Sequence, residues 1–512
     1  MKIRLEEAER LLAGLQHPSA YPHPVDSIRV AETHISWVLL TGQFAYKLKK
    51  LVKLGFLDFS TLEQRRRFCE EELRLNRRFS PDLYLAVVPI TGTFAEPRVG
   101  GKGEPIEYAV QMRQFPDDAL LSHRLRANRV TPAHVDALAR TIAEFHAGAA
   151  IATTDSPWGT PDSVRDPVDE NFAQLRLVGI DSPEVQKLHD WSQAEFHRLR
   201  PEFEARRNAG FVRECHGDLH ANNVLILGER VQLFDCVEFN ESFRWVDVFS
   251  DLAFLAMDLA DFDRTEFANR LLNAYLEITG DYAGLAVWRY YLVYRAMVRA
   301  KVAAIRSRQE TPDSGAAAAK DELSKYLTLA ERITHPAAPQ LFITHGPSGS
   351  GKSTFTQPLL ESLGAIRIRS DVERRRESGS PLDERYSADA RQRVYDQLAR
   401  CAELILRSGM SAIIDATFLK RFQRTQFRDL AKRLDVPMVV LDFQTPPDVL
   451  HERINQRQQT GHDPSEANTS VLEAQLQSAE PLEANEHLAF IAIDTTKSAQ
   501  FADVARRLQD TF

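Results

Sequence analysis

The chain has 512 residues, 43% of them hydrophobic, with 23 glycines, 25 prolines and a formal charge of −8. That length argues for roughly three compact units, or two with one large, and the composition excludes a collagen-like or wholly disordered chain. The acidic balance disfavours nonspecific coating of duplex nucleic acid, although it leaves room for a local basic groove.

Cys69, Cys215, Cys236 and Cys401 form no CxxC pair, so neither a zinc ribbon nor a disulfide framework is expected. The start, Met1-Lys-Ile-Arg-Leu-Glu-Glu, has no apolar core of the kind a signal peptide carries. Apolar stretches such as Leu252 to Leu259 fall well below the ~20 residues that span a bilayer. The expectation is a cytoplasmic protein of a reducing compartment, without a membrane partner.

In chain order, His34 to Leu40, a Thr41-Gly-Gln turn and Phe44 to Lys50 read as a hairpin. A helix follows around Arg65 to Phe79, then a Pro- and Gly-marked stretch from Pro81 to Gly103 and a strand from Tyr108 to Phe115. Thr131 caps a helix with Pro132 at its first position, and Val135, Leu138, Ile142 and Phe145 line one face. Helical patterns run on to about Leu329, interrupted by a motif-bearing segment from Cys215 to Asn240. Gln309 to Lys320 and Thr334 to Gln340 read as connectors, the second as the domain boundary. Beyond it, strands at Leu341–Thr344, Ala365–Arg369, Ser411–Asp415, Met438–Asp442 and Leu488–Asp494 alternate with helices. Such alternation is the pattern of a parallel sheet covered on both faces. Two domains are therefore expected, 1–335 (a β-rich lobe to about 115, then a helical lobe) and 341–512.

The segment His216-Gly-Asp218-Leu-His-Ala-Asn-Asn223 is followed, seventeen residues after Asp218, by Asp235. This spacing supplies an aspartate for an incoming hydroxyl, an amide for Mg²⁺ and a second metal carboxylate, which suffices for phosphoryl transfer. Phe68, Glu72, Leu75 and Phe79 share one helix face. A carboxylate there requires a partner or a path to solvent. Lys47 and Lys49 point to one side of the preceding strand, and Lys47 is the preferred phosphate-binding lysine. These residues resemble the aminoglycoside phosphotransferase family, and in particular the subfamily fused to a C-terminal P-loop kinase. The resemblance implies a protein-kinase-like α+β bilobal fold, Asp218 as catalytic base, Asn223 and Asp235 as Mg²⁺ ligands, Lys47 paired with Glu72 on the ATP phosphates, and an adenine hinge near Met112 to Phe115. Two features depart from the pattern: residues 17–45 hold no Gly-rich loop, and Asp235-Cys-Val lacks the glycine of a kinase DFG.

Gly346-Pro347-Ser348-Gly349-Ser350-Gly351-Lys352-Ser353-Thr354 is a Walker A phosphate loop between a strand and a helix. A chance match in a chain this long is expected only on the order of 0.02 times. Its backbone N–H groups and Lys352 suit a polyphosphate, and the Ser353 hydroxyl suits Mg²⁺. Asp371, after the second strand, either engages an acceptor hydroxyl or caps the next helix. Asp415 ends the third strand as a candidate for the metal's water shell. Arg453 and Arg457 either fold over the transferring phosphate or form a solvated face. This region resembles the small P-loop kinases related to phage polynucleotide kinase, gluconate kinase and zeta toxins, and the resemblance implies that Asp371 engages the acceptor.

The leading expectation is thus a two-domain enzyme with two ATP/Mg²⁺ sites, each phosphorylating a hydroxyl of a small molecule or nucleotide. Two alternatives are a nucleotide-gated regulatory protein with one active module, and a nucleic-acid end kinase in which Arg374, Arg375 and Arg376 bind acceptor phosphates. The acidic run Asp247, Asp251, Asp258, Asp261 and Asp263 reads as a solvated helix face with a structural Asp251, or as an attractor of a cationic substrate. His146 and His220 read as packing or loop-bracing residues.

Overall fold

The computed structural model describes residues 5–54, 57–309, 316–376, 388–460 and 468–496. It comprises two compact units, Met1–Pro167 with Phe203–Asp258, and Val168–Glu202 with Leu259–Phe512. These units do not follow the sequence division at residue 335. Helix Thr265–Thr279 packs on Lys352–Leu363, and Leu285–Gln309 packs on Ala388–Arg407, so both belong to the second unit.

The first unit opens with helix Leu5–Leu15 and a six-stranded antiparallel sheet in the order Arg29–Glu32, Ser36–Leu40, Phe44–Lys49, Glu107–Arg113, Tyr84–Gly92, Pro97–Val99. The expected hairpin is present, closed by a bond from the Thr41 amide to the Phe44 carbonyl. Strand alternation divides its residues between two cores. Tyr46 and Leu48 pack with Leu11 and Leu15 on one face, while Ala45 packs with Cys69 and Tyr84 on the other. Helix Leu62–Asn76 starts at a capping box between Thr61 and Gln64. It ends before Phe79, which instead sits against Phe145 and His216. Helix Pro132–Gly148 buries the four residues assigned to its inner face.

The second unit carries a five-stranded sheet, all parallel, in the order Ile366–Arg369, Ala412–Asp415, Leu341–His345, Met438–Gln444, Ala489–Asp494. Each strand expected after residue 340 is found. The strand order reverses at Leu341–His345, so the loop that follows it emerges at a topological switch point, where ligands bind in open α/β sheets. One expectation is corrected: Ala316–Thr334 is helical, so the segment assigned as a connector from 309 to 320 is shorter than expected, because its alanines favour helix. Residues 310–315 lie outside the described residues.

Candidate active sites

In the first unit the His216-Gly-Asp218 turn requires its glycine. Gly217 has φ +84°, and a Cβ there would stand 2.6 Å from the Phe243 carbonyl oxygen. The turn is fixed from below by two aspartates seven apart on helix Val248–Asp261. Asp251 accepts the amides of His216 (3.1 Å) and Gly217 (2.8 Å), and Asp258 accepts that of Ala221 (2.8 Å). Asp247 pairs with Arg206 at 2.6 Å. All three are buried, so Asp251 is structural as expected, and the solvated-face reading is corrected for Asp247 and Asp258, which an arginine and a loop amide hold inside; Asp263 is exposed. His146 also bonds Asp251, at 3.1 Å, and is a bracing residue.

Asp218 faces two side chains from its own loop. Asn223 Nδ2 donates to the Asp218 carbonyl (2.9 Å) and carboxylate (3.3 Å). His220 Nδ1 accepts the Asn222 amide, which leaves the proton on Nε2, 3.3 Å from Asp218 Oδ2. His220 therefore touches the candidate catalytic carboxylate as well as bracing the loop. Asp235 follows the hairpin Val224–Leu227/Arg230–Leu233 and sits in the left-handed region at φ 64°. Its amide donates to the Tyr84 hydroxyl, and the neighbouring Phe234 amide donates to the Asn223 carbonyl. The two motif loops are thus joined through the backbone.

Lys47 donates to Glu72 at 2.8 Å and to Asp235, bringing three of the expected residues together. Lys49, on the same face, also donates to Glu72 and reaches a further carboxylate, Glu238. Burial pushes the Lys47 ammonium down, but Asp235, Glu72 and Glu238 outweigh it and hold its pKa well above the lysine value. Burial likewise raises Glu72, yet Lys47 and Lys49 prevail and lower it to about 2. The cluster holds three carboxylates and two ammoniums. Glu238 absorbs the imbalance: burial first, then the Glu72 charge, raise its pKa against the pull of Lys49. Glu238 was not anticipated from sequence. The signal was available, since an acid three residues after Asp235 in an otherwise apolar run needs a partner by the same reasoning as Glu72. The expected hinge, Met112 to Phe115, spans the end of the central strand Glu107–Arg113 and the residues after it, where the Gln114 side chain accepts the Gly42 amide (2.8 Å). The turn at residues 41–43 holds one glycine, Gly42.

In the second unit the phosphate loop lines a cavity of about 970 Å³ together with Asp371, Asp415 and Arg453. Gly346, Gly349 and Gly351 all adopt positive φ, which lets the loop curl. Lys352 Nζ lies within that curl, donating to the carbonyls of Gly346 (3.0 Å) and Pro347 (2.7 Å) and to the Ser350 hydroxyl. The Ser353 hydroxyl donates to Asp415 at 2.6 Å. Ser348 is bound at both its amide and its hydroxyl by Gln475.

Asp371 lies in the first turn of helix Ser370–Arg376 and pairs with Arg374 at 2.7 Å. Arg453 donates to the Gly349 carbonyl and to Thr495. Arg457 belongs to the same helix, Pro447–Thr460, but its side chain lies outside the described residues. Of the arginine triplet only Arg374 lines the cavity, while Arg376 is bound to Glu373 and to the Leu276 and Glu277 carbonyls. The triplet as a joint acceptor-phosphate cradle is corrected accordingly.

An antiparallel sheet carrying a Lys–Glu pair with a His-Gly-Asp loop in the same unit, followed by a parallel sheet with a P-loop, defines a protein of two kinase-like domains. Residues 61–288 match the model of the phosphotransferase enzyme family, and residues 341–482 match that of an AAA domain. The uncharacterized protein Rv2004c of Mycobacterium tuberculosis is 33% identical over 451 residues, spanning 84% of this chain and 87% of its own. This chain belongs to the same family, in which a phosphotransferase domain precedes a P-loop kinase domain. Two solved structures are also similar. A choline/ethanolamine kinase family protein from Mesorhizobium loti is 14% identical, covering 63% of this chain and 98% of its own, with a TM-score of 0.37. A sugar kinase from Janibacter sp. is 22% identical, covering 34% and 95%, with a TM-score of 0.27.

Proposed function

We propose that the protein is an ATP- and Mg²⁺-dependent phosphotransferase with two sites, each moving the γ-phosphoryl group of ATP to a hydroxyl of a small molecule or nucleotide. The observation that carries this reading is the Lys47–Glu72 and Lys47–Asp235 contact beside Asp218 and Asn223. Through the Phe234 amide on the Asn223 carbonyl, the cation and the metal-type carboxylate are tied to the loop of the proton acceptor, the three groups that phosphoryl transfer needs.

The donor sets fit the groups proposed. Asn223 and Asp235 in one site, and Ser353 and Asp415 in the other, are hard oxygen ligands of the kind Mg²⁺ takes. The Lys352 curl is an amide-lined anion site. When bound, Mg²⁺ supplies neutralisation of phosphate charge. In the first unit Asp218 accepts the proton of the attacking hydroxyl, held in position by Asn223 and His220, while Lys47 binds phosphate oxygens. In the second, Lys352 and the loop amides bind phosphates, and Asp371 orients the acceptor hydroxyl. In both cases the new P–O bond forms at the acceptor oxygen as the bond to the ADP leaving group breaks.

The test is phosphate transfer from ATP to a panel of hydroxyl compounds, using Asp218→Ala, Lys352→Ala and the double variant. The proposal expects each single variant to lose transfer to a different set of acceptors and the double variant to lose all. Unchanged transfer and ATP turnover in the double variant would sink it. Loss of all turnover through one substitution alone would point instead to a single active module with a regulatory partner.

A further inference from the structure

The edge strand of the parallel sheet, Ile366–Arg369, has no neighbouring strand on its outer side among the described residues. Its place is taken by a side chain. Asn273, 3% exposed on helix Thr265–Thr279, donates from Nδ2 to the Ala365 carbonyl (3.1 Å) and accepts the Arg367 amide at Oδ1 (2.8 Å). One carboxamide thus reproduces the paired donor and acceptor of a strand partner, which an open sheet edge otherwise leaves unmet.

One turn further along the same helix, Glu277 accepts from Arg367 Nη2 at 3.1 Å and lies 3.9 Å from Arg369. Both arginines lead to the Walker A site. Arg367 Nη1 donates to the Ser353 carbonyl at 3.0 Å, and Arg369 Nε stands 4.0 Å from Asp415 Oδ2. Ser353 and Asp415 are the pair assigned to the metal. The helix that carries Asp371 is tied to the same region. Tyr282 donates to Glu373 at 3.2 Å, and Arg376 donates to the Glu277 carbonyl at 2.8 Å. Asn269 and Arg270 hold Glu361 near the far end of the helix that begins at Lys352.

Asn273, Glu277 and Tyr282 fall inside the stretch matched by the phosphotransferase family, not the stretch matched by the AAA domain. We propose that Asn273 and Glu277 are positioning residues of the P-loop site: helix Thr265–Thr279 acts as the missing edge of its sheet, and through Arg367 and Arg369 it sets the Ser353–Asp415 metal pair. The inference rests on the reading of that site as a Mg²⁺-nucleotide site. It makes the second kinase dependent on residues of the first kinase's sequence. Glu277 touches no reacting atom and acts only through the two arginines.

The experiment measures binding of a fluorescent ATP analogue to the full chain, with and without Mg²⁺, in two backgrounds. Lys47→Met leaves the P-loop site to bind, and Lys352→Ala leaves the other. In the Lys47→Met background, Glu277→Leu and Asn273→Ala are expected to weaken Mg²⁺-dependent binding about tenfold, within the usual span of coupling between sites. Glu277→Gln, which keeps an acceptor for Arg367, loses less. In the Lys352→Ala background none of the three changes affinity, a contrast that general loss of structure would not give. Thermal unfolding is followed alongside, and if Glu277→Leu does not fold, Glu277→Gln and Asn273→Ala carry the test. Wild-type affinity in the Lys47→Met background, or equal losses in both backgrounds, overturns the proposal. If Lys352→Ala added to Lys47→Met leaves binding intact, the nucleotide-site reading itself has failed, an outcome distinct from failure of the Glu277 link.

Discussion

The Ser353 hydroxyl donates to the Asp415 carboxylate across 2.6 Å, joining the end of the phosphate loop to the end of a strand 62 residues later. Ser353 begins from a loop whose glycines fix the backbone, and Asp415 ends a strand whose four residues are all buried. Neither end has room to drift, so the oxygen pair is preorganised for a small hard cation.

Asp415→Asn keeps the shape and a hydrogen-bond partner for Ser353 but removes the charge. Loss of a group that orients a metal site costs about 10–100-fold in metal affinity. The expected result is a Mg²⁺ requirement at the P-loop site raised by that factor, measured as the Mg²⁺ titration of turnover in the Asp218→Ala background. An unchanged titration contradicts the assignment.

Lys47 and Lys49 share Glu72 but should separate under mutation. Lys47→Met leaves Glu72 paired with Lys49, so activity at the first site falls while the fold is retained. Lys49→Met removes the ion-pair partner of the buried Glu238. Breaking such a buried pair costs about 3–5 kcal/mol. Denaturant titration should therefore show the larger loss of stability for Lys49→Met, and transfer assays the larger loss of function for Lys47→Met.

His216 supplies a pH dependence with a defined sign. Its Nε2 donates to the Phe234 carbonyl (2.8 Å), and its Nδ1 accepts the Asp218 amide. Burial lowers its pKa below the ordinary imidazole value, against the opposing charge of Asp251. The folded state thus holds a neutral ring while the unfolded chain takes up a proton near pH 6.5. The stability this provides is complete above about pH 6.5 and is lost as the pH falls below it. Replacing His216 with Gln should flatten the slope of unfolding free energy just below about pH 6.5. An equally steep slope in the variant would exclude His216 as its source.

All four cysteines are buried and unpaired in disulfides. Burial pushes the thiols of Cys69 and Cys401 up to about 12 and raises Cys215 and Cys236 as well. Since the thiolate is the reactive form, a thiol reagent at pH 8 should label the native chain slowly and label all four on unfolding. Rapid labelling of the native chain would contradict this packing.

Much of the fold was legible. The five parallel strands, the hairpin bearing Lys47 and the helix bearing Glu72 follow from residue alternation and turn signals, because each is a local pattern stabilised by one buried face. No helix among the described residues is long and apolar enough to cross a membrane. Asp258 was misread for a reason: charge along a helix usually marks solvent, and only the loop whose Ala221 amide it accepts turns that carboxylate inward. That helix Thr265–Thr279 packs on helix Lys352–Leu363 was not legible, because sequence order carries no record of which sheet a helix covers.

By itself, the sequence determined the chemistry available at each motif: the Gly346–Thr354 loop, Asp218 with Asn223, and the Lys47–Glu72 pairing. These are short-range consequences of backbone geometry and of the free energy of leaving a buried charge alone. Only the tertiary structure decided that Lys49 meets Glu238 across 189 residues and that Asn273 completes the sheet edge at Arg367 across 94. A polar side chain must find a partner once buried, but which partner it meets is set by how the layers pack, and no spacing along the chain encodes that.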